Sequence, residues 1–176
     1  MNWLEYVVFR TMRLLRRLPL NRILNVGSSN RVFLDYFKNF EKVTAAQGIF
    51  GERTAEVLRS LKVDLTWFGG YMFVDNASGH LVVSLPYLNS GDKVDIYLDL
   101  IHELVHVRQL MEGKELFDPR YSYVERPTEI EAYRYTVQEA RRLGLSDKRI
   151  CEYLKTEWIS NSELKLLARA VNVVCP

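Results

Sequence analysis

Read by the spacing of its apolar positions, the chain has helical stretches at both ends and a short alternating stretch between them. Trp3, Leu4, Val7, Val8, Met12, Leu14, Leu15 and Leu18 fall mostly on one helical face, and Arg10, Arg13, Arg16 and Arg17 cluster on the other. Pro19 should stop that first helix, because proline brings no backbone donor. Asn25 to Asn30 reads as a loop. Periodicity predicts helices over Arg31 to Phe40 and Glu52 to Leu61, with Gly48 and Gly51 breaking the chain between them. Tyr71 to Asp75 and Leu81 to Leu85 are rich in aromatic and β-branched residues and flank Asn76-Ala77-Ser78-Gly79, the pattern of a β-hairpin. Val63 to Trp67 adds a strand, and Pro86 suits a strand end or an edge.

A loop at Asn89 to Gly91 leads into a long apolar-periodic segment from Asp92 to Glu112, with Ile96, Leu100, Ile101, Leu104, Val105 and Val107 on its buried side. Gly113 fits the position just past its end. After the aromatic and charged loop Lys114 to Arg126, Pro127 opens a helix reaching Leu143, with Gly144 behind it. Ser146 caps a helix to Trp158, and Ser160 to Ala170 is the last. Helices, then a small antiparallel sheet, then helices give an α+β fold, a single domain over residues 1–176.

Hydrophobic residues make up 48% of the chain and charged residues 26%, a balance that suits a packed core rather than disorder. With 24 basic and 22 acidic residues the net charge is +2, too even for the electrostatic footprint of a nucleic-acid binder. Cys151 and Cys175 form neither a C-x-x-C pair nor a disulfide framework, so a reducing cytoplasm is expected. No apolar run reaches the roughly 18 residues of a spanning helix. Arginines interrupt any signal-peptide core at the N-terminus. The basic amphipathic helix there has two readings, packed on the domain or lying on a membrane surface.

Candidate chemistry concentrates in His102-Glu103-Leu104-Val105-His106, which holds two of the three histidines. A helix turns about 100° per residue, so positions i and i+4 share a face about 6 Å apart along the axis. Two imidazoles so placed can hold one Zn²⁺ while the intervening glutamate reaches an activated water. A catalytic site needs a third protein ligand and one open position. The class that continues H-E-x-x-H-x-x-G-x-x-H is excluded, because Gln109 and Glu112 stand where it has glycine and histidine. The class that draws a glutamate from the next helix has two candidates here, Glu129 and Glu131.

His102-Glu103-Leu104-Val105-His106 followed by Glu129-Ile130-Glu131-Ala132 resembles the gluzincin zinc metallopeptidases, and most closely the ImmA/IrrE-like and minimal gluzincin families. The resemblance covers about Leu81 to Leu143. It implies a zincin-like core and zinc-dependent hydrolysis of a peptide or protein substrate, with Glu103 as general base. Its E-x-x-A pattern implies Glu129 as third ligand, 23 residues after His106. Glu131 is the fallback, about 200° away on the same helix. Where the family shows asparagine or aspartate four residues after that glutamate, this chain has Tyr133. The family's use of tyrosine or histidine as oxyanion donor makes Tyr133 the catalytic candidate, with Tyr121 and Tyr123 behind it. The resemblance also implies that the strand Leu81 to Leu85 rims the cleft and takes a peptide by strand addition; the other reading has it only covering the core. The DNA-binding helix-turn-helix often attached to ImmA/IrrE-like proteins has no counterpart.

Asp99, three residues before His102, can orient that ring or serve as a surface charge. His80 at the hairpin reads as a surface residue. The other function class is a binding module, with a structural zinc site or an inactive scaffold fold; a closed site would need a fourth protein ligand, such as His80 or Asp99.

Overall fold

In a computed structural model, residues 31–67 and 70–175 are described. The predicted N-terminal helix and the loop at 25–30 lie outside them. The first described segment is extended: Val63 N–H donates to the Arg31 carbonyl, and Val32 and Lys62 form an isolated antiparallel bridge. This pairing leaves room for only a short helix, α1 (Phe33–Tyr36), followed by a 3₁₀ turn at Phe40–Lys42, where one helix over Arg31 to Phe40 was expected. Gly48 lies inside α2 (Thr44–Phe50), and the break falls at Gly51 alone, whose φ of +60° suits glycine. A 3₁₀ turn at Gly51–Arg53 then leads into α3 (Thr54–Ser60).

Three strands follow, β1 (Val63–Thr66), β2 (Met72–Val74) and β3 (Leu81–Ser84). β2 and β3 form the expected hairpin, pairing Met72 with Val83 and Val74 with Leu81. Its turn is held by the Asp75 carboxylate, which accepts from the Ser78 N–H and hydroxyl, and by Gly79 at φ +71°. The sheet order is β1-β3-β2, with β1 parallel to β3. The sheet is therefore mixed, which corrects the purely antiparallel expectation. β3 is central and bonded on both sides. Met72, Val74, Leu81 and Val83 turn inward while Phe73 faces out, the period-two alternation of a half-buried sheet. Pro86 falls in the first turn of α4 (Leu85–Ser90), where its missing N–H costs nothing.

The central element is α5 (Lys93–Met111), capped by Asp92, whose side chain accepts from Val94 N–H and Asp95 N–H. Leu100, Ile101, Leu104 and Val105 pack on the sheet and α1 to α3. Leu98 enters a second core built with Val124, Ile150, Leu154 and Leu167. A helix buried on several sides is the expected consequence of apolar residues around most of its circumference. Against it packs α6 (Pro127–Arg142), then α7 (Asp147–Leu154), capped by Ser146, and α8 (Asn161–Ala170), capped by Ser160. α7 ends at Leu154, four residues short of the expected Trp158.

A disulfide joins Cys151 on α7 to Cys175 in the tail after α8. It corrects the reading of these cysteines as unpaired and withdraws their support for a reducing compartment. In the chain-entropy picture a crosslink across 24 residues contributes about 3 kcal/mol. Reduction, or Cys175→Ser, is therefore expected to lower the denaturant midpoint by that equivalent, measured by urea unfolding with and without reductant. An unchanged midpoint would show that the bond does not support the fold. Among the described residues no helix is long and apolar enough to cross a membrane.

Candidate metal centre

Helix α5 places His102 and His106 on one face, with ring centroids 4.7 Å apart and Nε2 atoms 3.0 Å apart. Helix α6 begins at Pro127 after an extended Arg126, so Glu129 falls in its first turn, where the helix dipole favours a carboxylate. Glu129 Oε2 lies 3.2 Å from His102 Nε2 and 3.5 Å from His106 Nε2. Thus buried His102, His106 and Glu129 lie close enough to bind one metal ion, with all three ligand atoms within 4.8 Å of one another. Two imidazole nitrogens and one carboxylate oxygen are a donor set that a divalent cation fits. At 4–6% exposure these three are otherwise costly groups to place in a core.

Glu131, the fallback ligand, turns away. It accepts from Arg108, Lys114 and the Gln109 amide. His80 Nδ1 is 2.8 Å from Asp64 on β1 and takes no part in the triad. Asp99 accepts from the Tyr87 and Tyr153 hydroxyls, at 2.6 and 2.8 Å, rather than bonding the His102 ring. His102 Nδ1 is buried without a hydrogen-bond partner, and its ring is instead held by an edge contact with Tyr133, centroids 4.4 Å apart. The contact between Tyr133 and the His102 ring is thus packing rather than a hydrogen bond. The Tyr133 hydroxyl lies 2.8 Å from that of Tyr123, so these two candidates form a pair, while Tyr121 is exposed on the preceding loop.

Glu103, beside the first histidine, accepts from the Val74 N–H of β2 at 3.1 Å. The central strand β3 has no free edge to offer, and the strand facing the centre is β2.

The electrostatics follow from burial and the neighbouring charges. Burial pushes the Glu103 carboxyl up to about 8, against the charge of His106 and with help from Glu129 and Asp99. Burial also opposes charge on Glu129, but His106 and His102 outweigh it and hold that carboxyl far below the usual range. Burial lowers His102. In His106 burial is overcome by the negative charge and hydrogen bond of Glu129, and the ring is raised to about 9. A metal ion needs the Nε2 lone pair, so binding must expel the His106 proton whenever the pH lies below that value. Apparent affinity is therefore expected to rise roughly tenfold per pH unit between about pH 7 and about 9. Titration calorimetry in buffers of different ionisation enthalpy would count the released proton. A flat affinity over that window would show that His106 is already neutral.

Sequence reasoning missed Gln109, which is fully buried one turn after His106 and bonded to it at 2.7 Å. Its spacing of three residues from His106 was the available signal. Comparison with known protein families, with curated proteins and with solved structures finds no match to this chain. The class these observations define is accordingly a mixed α+β protein with a His-His-Glu triad able to bind a metal ion.

Proposed function

We propose that the protein is a zinc-dependent peptidase of gluzincin type with a zincin-like core, hydrolysing peptide bonds in a protein or peptide substrate. The observation that carries this reading is the convergence of buried His102 and His106 of α5 with buried Glu129 of α6, with buried Glu103 next to His102 in the chain. Among the described residues no fourth His, Cys, Asp or Glu joins the cluster, as befits a centre with one position left for water. A divalent ion bound by the three would supply Lewis-acid activation of water and of the scissile carbonyl.

Glu103 takes the proton from the attacking water and returns it to the leaving nitrogen. The Val74 N–H holds one carboxylate oxygen and leaves the other for this transfer. Tyr123 and Tyr133 remain protonated, because burial and the charge of Glu129 raise both well above the ordinary tyrosine value. The pair carries two O–H groups and one bond between them, so one hydroxyl hydrogen is left to donate to an oxyanion. In this reading that donor is Tyr133. The outer edge of β2 is where an extended substrate would lie, since β3 is paired on both sides.

The test is to load the chain with zinc, incubate it with a complex peptide mixture and identify new termini by mass spectrometry. Cleavage that stops on chelation and returns with zinc is expected. Stoichiometric zinc with no cleavage would instead favour a binding or scaffold module.

A further inference from the structure

The buried glutamine beside the second histidine has an orientation that its neighbours dictate. Gln109 Nε2 lies 3.0 Å from the Thr128 carbonyl and 2.9 Å from Glu131 Oε2. A carbonyl and a carboxylate only accept, so the amide nitrogen must face them. The amide oxygen then faces His106 Nδ1, 2.7 Å away, and an oxygen can only accept there. Nδ1 must therefore carry the hydrogen. A neutral His106 is left with its lone pair on Nε2, the nitrogen turned toward His102 and Glu129. Glu131 is itself held by Arg108 at 2.5 Å and Lys114 at 3.1 Å, which keep it an acceptor.

We propose that Gln109, oriented by Glu131, is a positioning residue that sets His106 in the Nδ1–H tautomer and so presents Nε2 to a divalent ion. Glu131, two residues from the ligand Glu129, then serves the centre through the glutamine rather than by ligation. The same amide ties α5 to the first turn of α6 through Thr128, next to Glu129. Ring orientation and ligand spacing thus share one side chain. This inference rests on the triad as a divalent-ion site and not on the peptidase reading.

The test uses near-isosteric exchanges, which keep the volume of the buried position. Gln109→Glu removes the donor that Thr128 and Glu131 require and sets two carboxylates together. Zinc affinity, measured by competition with a chromophoric chelator, is expected to fall about 10–100-fold. Adding Glu131→Gln to that variant restores a donor between the two positions and is expected to recover most of the loss. Long-range ¹⁵N–¹H spectra of the metal-free chain, at a pH that leaves the ring neutral, should show His106 as the Nδ1–H tautomer in the parent and a mixture of tautomers in Gln109→Met, which offers Nδ1 no oxygen acceptor. The proposal is overturned if Gln109→Met binds zinc as tightly as the parent with the same tautomer, or if the Gln109→Glu, Glu131→Gln double variant is no better than Gln109→Glu alone. It is overturned equally if the parent shows Nε2–H in the metal-free chain at a pH that leaves the ring neutral. That last reading needs no zinc, so a parent that takes up no metal would end the hydrolytic reading while Gln109 is still decided by its own signal.

Discussion

Glu103→Gln is expected to reduce kcat about 10²–10⁴-fold while the chain still binds one zinc. The substitution keeps the side chain's shape, and its amide oxygen can still accept from the Val74 N–H that now bonds the carboxylate. None of the three metal-binding side chains is changed, so fold and ion should survive together. What disappears is the ability to take a proton from water. The pH profile should report the same group. In the metal-free protein burial keeps the carboxyl protonated up to about 8, and a nearby cation favours its ionised form. If the proposed mechanism holds, the zinc-loaded chain should therefore gain activity with rising pH through a value below about 8. A Glu103→Gln protein that cleaves as fast as the parent at equal zinc content would remove Glu103 from the mechanism.

The second large effect is expected at Glu129. An ion that binds only the folded chain stabilises it by about 2.7 kcal/mol at a free concentration one hundred times its Kd. For a chain of this size that corresponds to a rise in Tm of about 5 to 10 °C. Glu129→Gln removes the charged ligand and leaves two imidazoles, so the zinc-dependent rise should vanish. Glu131→Gln should retain most of it, because that side chain is not a ligand and its amide oxygen can still accept from the Gln109 amide that orients His106. Differential scanning calorimetry with zinc and with chelator distinguishes the two. If Glu131→Gln loses the rise and Glu129→Gln keeps it, the third ligand has been assigned to the wrong glutamate.

The two helices that carry the centre were legible because their signals are local. Asp92 caps α5, Pro127 opens α6, and an i, i+4 spacing puts both histidines on one face whatever the helix packs against. The choice of Glu129 over Glu131 came instead from the resemblance, whose E-x-x-A pattern only Glu129 fits, and the structure turns the two carboxylates to different partners. The companions of the triad were not legible. Asp99 meets Tyr153 across 54 residues, and Val74 reaches Glu103 across 29. No periodicity encodes such distances. Gln109 looked only like the residue that excludes one class of zinc protein, because its value depends on Thr128 and Glu131 arriving from another helix.

A resemblance pointed to Glu129, and by itself the sequence determined the helices of the site, the existence of three strands, and the placing of His102 and His106 on one helical face. These follow from the 3.6-residue and two-residue repeats and from caps that act within a few positions. Only the tertiary structure decided that β1 runs parallel to β3, that β2 rather than β3 faces the centre, that Cys151 joins Cys175, and that Gln109 holds His106. Alternation along a strand says which face is buried but not which neighbour it pairs with. Likewise a polar side chain shows its role only when the group it must satisfy is packed beside it.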